Sequence, residues 1–348
     1  MEPKEAIWET AGTKNTKIEI LKYFVPREDD GWTPLHRAAA MDSHVEVMKS
    51  LISLGADVNT ENENGLTPLH CAAAYNSNVE ILKYLISQGA NVHAENIWGE
   101  QPIHLAAEDN SNVEILKYLV SQGADIHAET GGGWTPFFSA AANNTNIDVL
   151  KYLISQGADI NAETGGGLTP LHFAAASNPN IEVLKYLVSQ GADVNVKRGG
   201  WAPLHSAAAY ASSIEVLKYL VSQGADTDAK DETGLTPLHG AAAMNPNVEV
   251  LNYLLAQGID VNTATDDGWT PLHYAAEKNS NIAVLKFLLS QGADVTAKTN
   301  DMQIPQDVAD TEEKRNLLLE AVIHRFPSPS YTTLHARRYG NHKTGSAD

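Results

Sequence analysis

The chain has 348 residues, with 43 acidic against 24 basic side chains, a formal net charge of −19 and one cysteine. A balance this acidic excludes direct binding of DNA, RNA or anionic membrane, all of which need basic surface, and a single thiol excludes an internal disulfide, which points to an intracellular, cytoplasmic setting. No apolar run reaches the roughly 18 residues of a membrane span, and Met1-Glu2-Pro3-Lys4 does not open a signal peptide.

Internal repetition dominates the rest. Pro34, Pro68, Pro102, Pro136, Pro170, Pro203, Pro237, Pro271 and Pro305 are 34 residues apart, except for the 33 between Pro170 and Pro203. Length alone would suggest two or three domains, but units that pack only on their neighbours form one uninterrupted elongated stack. Along the chain, residues 1–28 form a partial N-terminal capping repeat: Thr16 to Tyr23 matches the second helix of a unit, and Trp8 lies in a weak first helix. Residues 29–299 hold eight full units, and 300–323 form a degenerate C-terminal capping repeat with a helix from Glu312 to Leu319. Residues 324–348 carry four basic residues and one aspartate, leaving about −22 on the remainder. With no apolar periodicity, this tail is expected to be disordered, either inert or folded back on the acidic array.

Each unit reads the same way. Thr67 is a helix N-cap and Pro68 suits the first helical position, where no N–H is required. The short helix continues through small residues to Ala74 and stops at Tyr75-Asn76. Ser77 and Glu80 have capping-box spacing, repeated as Ser43/Glu46, Ser111/Glu114 and Ser212/Glu215, so the second helix is expected to begin at the serine. Val79, Leu82, Leu85 and Ile86 make one apolar stripe, and Gly89 supplies a left-handed helix end. Turn-forming residues such as Asp159 to Gly167 then project as a finger.

The recurring G-x-T-P-L-H-x-A-A, a second helix and G-A-D-V-N-A resemble the ankyrin repeat. The resemblance covers roughly residues 5 to 322 and implies an all-α repeat solenoid of helix-turn-helix units with β-hairpin-like fingers. The extra residue of the 34-residue period falls in the turn between the helices, as at Tyr75-Asn76-Ser77, and the short interval trims the finger at Val194 to Gly200. Phe137-Phe138 and Gln101 depart from the motif and are read as local repacking.

The resemblance also implies a structural role for His36, His70, His104, His172, His205, His239 and His273, whose rings would bond across the unit. Successive units sit too far apart for His93 and His127 to share one zinc ion. Gly131–Gly133 and Gly165–Gly167 lack the spacing and the following Lys-Ser/Thr of a phosphate loop and read as turns. Cys71 is a small packing residue, and no nucleophile, base and orienting acid stand apart from the repeat. Hence no catalytic residue, metal or cofactor is expected.

Recognition is sought where the units differ. In the family, the fingers and the exposed side of the first helix form a concave binding face. The residue after the motif glycine is Trp32, Trp134, Trp201 or Trp269 in half of the units, and Trp98 lies nearby in the third. These rings either cover the adjacent finger or form a recognition stripe. Met41, Tyr75, Tyr210 and Met244 at first-helix ends would extend it, while finger acids including Asp29, Asp30, Asp266 and Asp267 would rim it. Lysines such as Lys83, three residues after an acid, read as solvated pairs on the opposite side. Together these features indicate a non-enzymatic, monomeric scaffold that binds a basic or amphipathic protein segment. The alternative is a regulatory or targeting module, or an effector delivered into a host cell, that inhibits or delivers an enzyme.

Overall fold

The computed structural model describes residues 31–41, 45–196 and 200–325. The partial repeat expected over 1–28, Asp29, Asp30, Ser43, Lys197, Arg198 and the tail beyond Arg325 lie outside the described residues. The chain divides into two compact units, residues 1–193 and 194–348. An uninterrupted stack is the expectation from sequence; the boundary falls in the finger of the one shortened interval.

In the first unit, α1 (Pro34–Ala40), α3 (Pro68–Tyr75), α5 (Pro102–Asp109), α7 (Pro136–Asn143) and α9 (Pro170–Ser177) alternate with α2 (Val45–Ser53), α4 (Val79–Ser87), α6 (Val113–Ser121), α8 (Ile147–Ser155) and α10 (Ile181–Ser189). The second unit contains α11 (Pro203–Tyr210), α12 (Ile214–Ser222), α13 (Pro237–Met244), α14 (Val248–Ala256), α15 (Pro271–Glu277), α16 (Ile282–Ser290) and the longer α17 (Glu312–Arg325). The all-α repeat architecture is as expected, and among the described residues the fingers are hairpin-like turns that contain no extended strand. In the second finger, for example, Asn62 N–H donates to Leu66 O at 3.0 Å and Gly65 N–H to Asn62 O at 2.9 Å.

Within each unit the first helices pack on one another and bury their alanines, such as Ala72 and Ala73 of α3 and Ala106 and Ala107 of α5, because a methyl side chain lets backbones approach. Their partners bury a stripe centred one residue from the expected one: Ile81, Leu82 and Leu85 are buried in α4, while Val79 and Ile86 are half-buried. Gly89, at φ 92°, ends α4 in the left-handed region with no packing demand on its position. Gly65, at φ 73°, has both constraints, since a Cβ there would come within 3.1 Å of the backbone of Asn96 and Ile97.

The second-helix cap differs from expectation. Asn78, rather than Ser77, caps α4, its Oδ1 accepting from Glu80 N–H at 3.0 Å, and Asn112, Asn146, Asn180, Asn247 and Asn281 do the same in their repeats. The cap in α12 is Ser213, not Ser212. In the asparagine-capped repeats the start is set by a buried asparagine two residues before the cap; in α12 that place is taken by Ala211. Asn76 Oδ1 takes the Asn78 N–H at 2.8 Å, which keeps Ser77 outside the helix. That asparagine also spans the stack: Asn110 Nδ2 donates to Ala73 O and Asn76 O at 2.9 Å each, Asn144 Nδ2 to Ala107 O and Asn110 O at 2.8 and 3.0 Å, and Asn178 Nδ2 to Ala141 O and Asn144 O at 2.9 and 3.0 Å. Asn245 and Asn279 repeat the pattern in the second unit. At its end the buried Lys314 takes over, donating from Nζ to Ala276 O at 3.2 Å while paired with Asp310 at 2.7 Å.

The motif histidines form a second set of ties. Thr67 N–H donates to His70 Nδ1 at 3.0 Å, so the ring is neutral and Nε2–H donates to Glu100 O of the next finger at 3.0 Å. His205, His239 and His273 reach Leu235 O, Trp269 O and Gln303 O in the same way. Burial lowers the pKa of His70 and His239 to about 4 and that of His104 and His273 in the same direction. A histidine held below its ordinary 6.5 stabilises the fold above that pH, and the contribution is lost as pH falls toward 4. For His70 and His239 this amounts to about 3 kcal/mol each over that range. The urea midpoint is therefore expected to be flat between pH 7 and 8 and to fall steeply from pH 6.5 to 4, with a shallower fall in His70→Gln.

Candidate interaction surface

The candidate recognition residues fall into three sets. The first comprises the tryptophans after the motif glycine. Trp32, Trp134, Trp201 and Trp269 are all half-buried, because each indole lies over the ring four residues ahead, at the third helical position. Trp32 is 6.1 Å from His36, Trp201 4.9 Å from His205 and Trp269 5.6 Å from His273, by ring centroids. Trp134 meets Phe138 at 6.1 Å and Phe173 of the next repeat at 4.4 Å, and the two phenylalanines cross edge-on at 5.8 Å. This aromatic cluster is the repacking that replaces the missing histidine of the fourth repeat. Trp201 Nε1–H is also used internally, donating to Ser206 Oγ at 2.9 Å.

The second set stands at the first-helix ends and is open to solvent. Met41 is 43% and Tyr75 58% exposed in the first unit, and Tyr210 and Met244 are 56% and 50% exposed in the second. In α5 this end is occupied by Glu108 and Asp109. Burial, with Asp109 and Glu100 nearby, pushes the Glu108 carboxyl up to about 7, although Asn143 Nδ2 donates to it at 2.8 Å. Burial and Glu100 raise Asp109, and the Tyr75 hydroxyl is raised by burial and by Asp109. The acid pair is absent from the residues singled out in the sequence; its signal was Glu108, at a position that is Ala in the other units except for Glu277, followed by Asp109 at a variable position.

The third set is on the fingers. Asp266 and Asp267 are exposed, as are Glu61, Glu63, Glu95 and Glu129. Trp98 is 55% and its neighbour Ile97 64% exposed, unlike the four half-buried tryptophans. On the second helices, by contrast, Lys49, Lys83, Lys117, Lys151, Lys185 and Lys218 each pair with the acid three residues before, at 2.6–2.9 Å. Cys71 is buried and its thiol is pushed up to about 12 by burial, which leaves it unreactive. His93 and His127 are exposed, and no group of three or more His, Cys, Asp or Glu side chains able to hold a metal occurs among the described residues.

A family model described as ankyrin repeats (3 copies) matches residues 10–96, 72–164, 140–231 and 204–299. The chain belongs to the ankyrin-repeat family. Such repeats are generally protein–protein interaction modules and typically lack enzymatic activity. No curated protein matches the chain. Among the described residues no helix is long and apolar enough to cross a membrane.

The two kinds of tryptophan separate by experiment. Trp134→Ala is expected to lower unfolding free energy by about 2 kcal/mol through loss of the Phe138 and Phe173 contacts, whereas Trp98→Ala changes it by less than about 0.5 kcal/mol. Equilibrium urea unfolding of the two variants reads the difference.

Proposed function

We propose that this protein is a non-enzymatic scaffold whose first-helix ends and fingers capture a basic or amphipathic segment of a protein partner. The observation that carries the reading is the sorting of charge and exposed apolar surface. Most second-helix lysines are matched by acids of their own helix, whereas Glu108 has an amide as its hydrogen-bond donor and sits beside Asp109, Glu100 and the exposed Tyr75. A carboxyl held near 7 by burial and like charge favours its ionised form once a cation arrives. An aromatic side chain beside it supplies contact area at small entropic cost. The half-buried tryptophans set the fingers, and the exposed residues between them meet the partner.

The experiment is affinity capture from the source cells with the full chain and with a Met41→Ser/Tyr75→Ser variant. Serine already occupies the equivalent position at Ser177, so the change respects the fold. Partners with a basic segment are expected at low salt, with recovery at least tenfold lower for the variant and higher at pH 8 than at pH 6. Equal recovery by both proteins at both pH values overturns the reading.

A further inference from the structure

The third fingertip differs from every other described tip. Ile97 and Trp98 stand where the second finger has Glu63 and Asn64, the fourth and fifth have Gly-Gly, and the seventh and eighth have Glu232-Thr233 and Asp266-Asp267. Two adjacent large apolar side chains, both more than half exposed, are held at a turn whose backbone is fixed. Asn96 Oδ1 accepts from Trp98 N–H at 3.0 Å and from Glu100 N–H at 2.9 Å. Exposed apolar groups on a rigid projection mark contact surface.

The tips that follow are bare, and packing does not require them to be. A Cβ at Gly131 or Gly165 would meet nothing within 4 Å, and neither residue has positive φ; the left-handed positions are taken by Gly133 and Gly167. Backbone pairing changes at the same place. Ile97 N–H donates to Asn64 O at 3.1 Å, linking the second and third tips, and in the second unit Asp266 N–H donates to Thr233 O at 3.0 Å and Asn300 N–H to Asp267 O at 2.9 Å. The equivalent pairs, Gly131 with Trp98 O and Gly165 with Gly132 O, make no such bond. Side-chain-free tips therefore coincide with main-chain donors and acceptors that an extended peptide can use.

Charge decides the occupant. Fingers two to four, residues 57–67, 91–101 and 125–135, contain no lysine or arginine, and Glu61, Glu63, Glu95 and Glu129 are exposed around the apolar pair. We propose that Ile97, Trp98 and the bare tip at Gly131–Gly132 form a docking subsite for an extended segment of a partner protein that carries a large apolar side chain next to lysine or arginine. The apolar side chain covers Ile97 and the indole, the cation lies among the glutamates or over the Trp98 face, and the segment's backbone pairs along Gly131. This subsite rests on the protein-binding reading above and adds to it a position and a partner sequence class.

The test is selection of a phage-displayed library of random 12-residue peptides on the full chain, followed by binding of the enriched peptides to Ile97→Gly/Trp98→Gly and to Tyr75→Ser. The double glycine variant copies the tips of the fourth and fifth fingers, and an unchanged circular dichroism melt verifies its fold. Expected are peptides with a bulky apolar residue beside Lys or Arg, at least tenfold weaker binding to the glycine variant, and slowed amide exchange at Gly131 on binding. Enriched peptides that bind the glycine variant as well as the parent overturn the subsite, and if Tyr75→Ser weakens them, the broader reading stands. A library that yields no enriched peptide overturns the subsite and counts against that reading as well.

Discussion

Within each of the two compact units the fold depends on a buried side-chain amide that ties a repeat to the one before it; in the sixth repeat Ala211 takes that place. Asn110, Asn144 and Asn178 each donate two hydrogen bonds to carbonyls of the preceding repeat and accept one from the N–H two residues ahead. Alanine faces bring the first helices close but carry no directional information, and apolar contact alone tolerates sliding. The amide fixes register, because a shift would leave buried carbonyls and amide protons unpaired, at about 1–3 kcal/mol for each group. Histidine does the same at the other end of the short helix, reaching a carbonyl of the next finger. Where both are present, the two ties set where the finger and the first-helix end of a repeat stand.

Much of this was legible in the sequence. Thr67 and Pro68, the alanine run, Gly89 and the structural histidine each have one physical use, and the structure places them in it. The second-helix start was misplaced because Ser-x-x-Glu satisfies a local rule, while the deciding bond comes from Asn76, whose role is set by carbonyls 34 to 37 residues away in the preceding repeat. Local pattern cannot show that partner. Asn76 lies in the very turn that lengthens the period to 34, so the added residue was visible and its purpose was not.

The surface was legible only in part, since one residue type serves two roles. Trp32, Trp134, Trp201 and Trp269 share a repeat position and all rest on the ring four residues ahead, whereas Trp98, two residues earlier in its repeat, reaches the tip and is exposed. Spacing separates these once the motif glycine is fixed: a side chain after it is drawn toward the helix, one before it points along the finger. Glu108 and Asp109 escaped notice because their significance lies in crowding by Glu100 and in burial, neither of which a single repeat reveals.

The most direct test is whether the turn amides between helices are locked by the asparagine ladder. Native-state hydrogen exchange on the Asn112, Asn146 and Asn180 N–H groups, in the parent and in Asn144→Ala, measures this. The account predicts parent protection equal to that of neighbouring helix interiors, though all three amides lie at helix starts. It also predicts loss of protection at Asn146 in the variant, with global stability lower by about 3 kcal/mol. Free-peptide exchange at these amides in the parent, or a variant as stable as the parent, would contradict it.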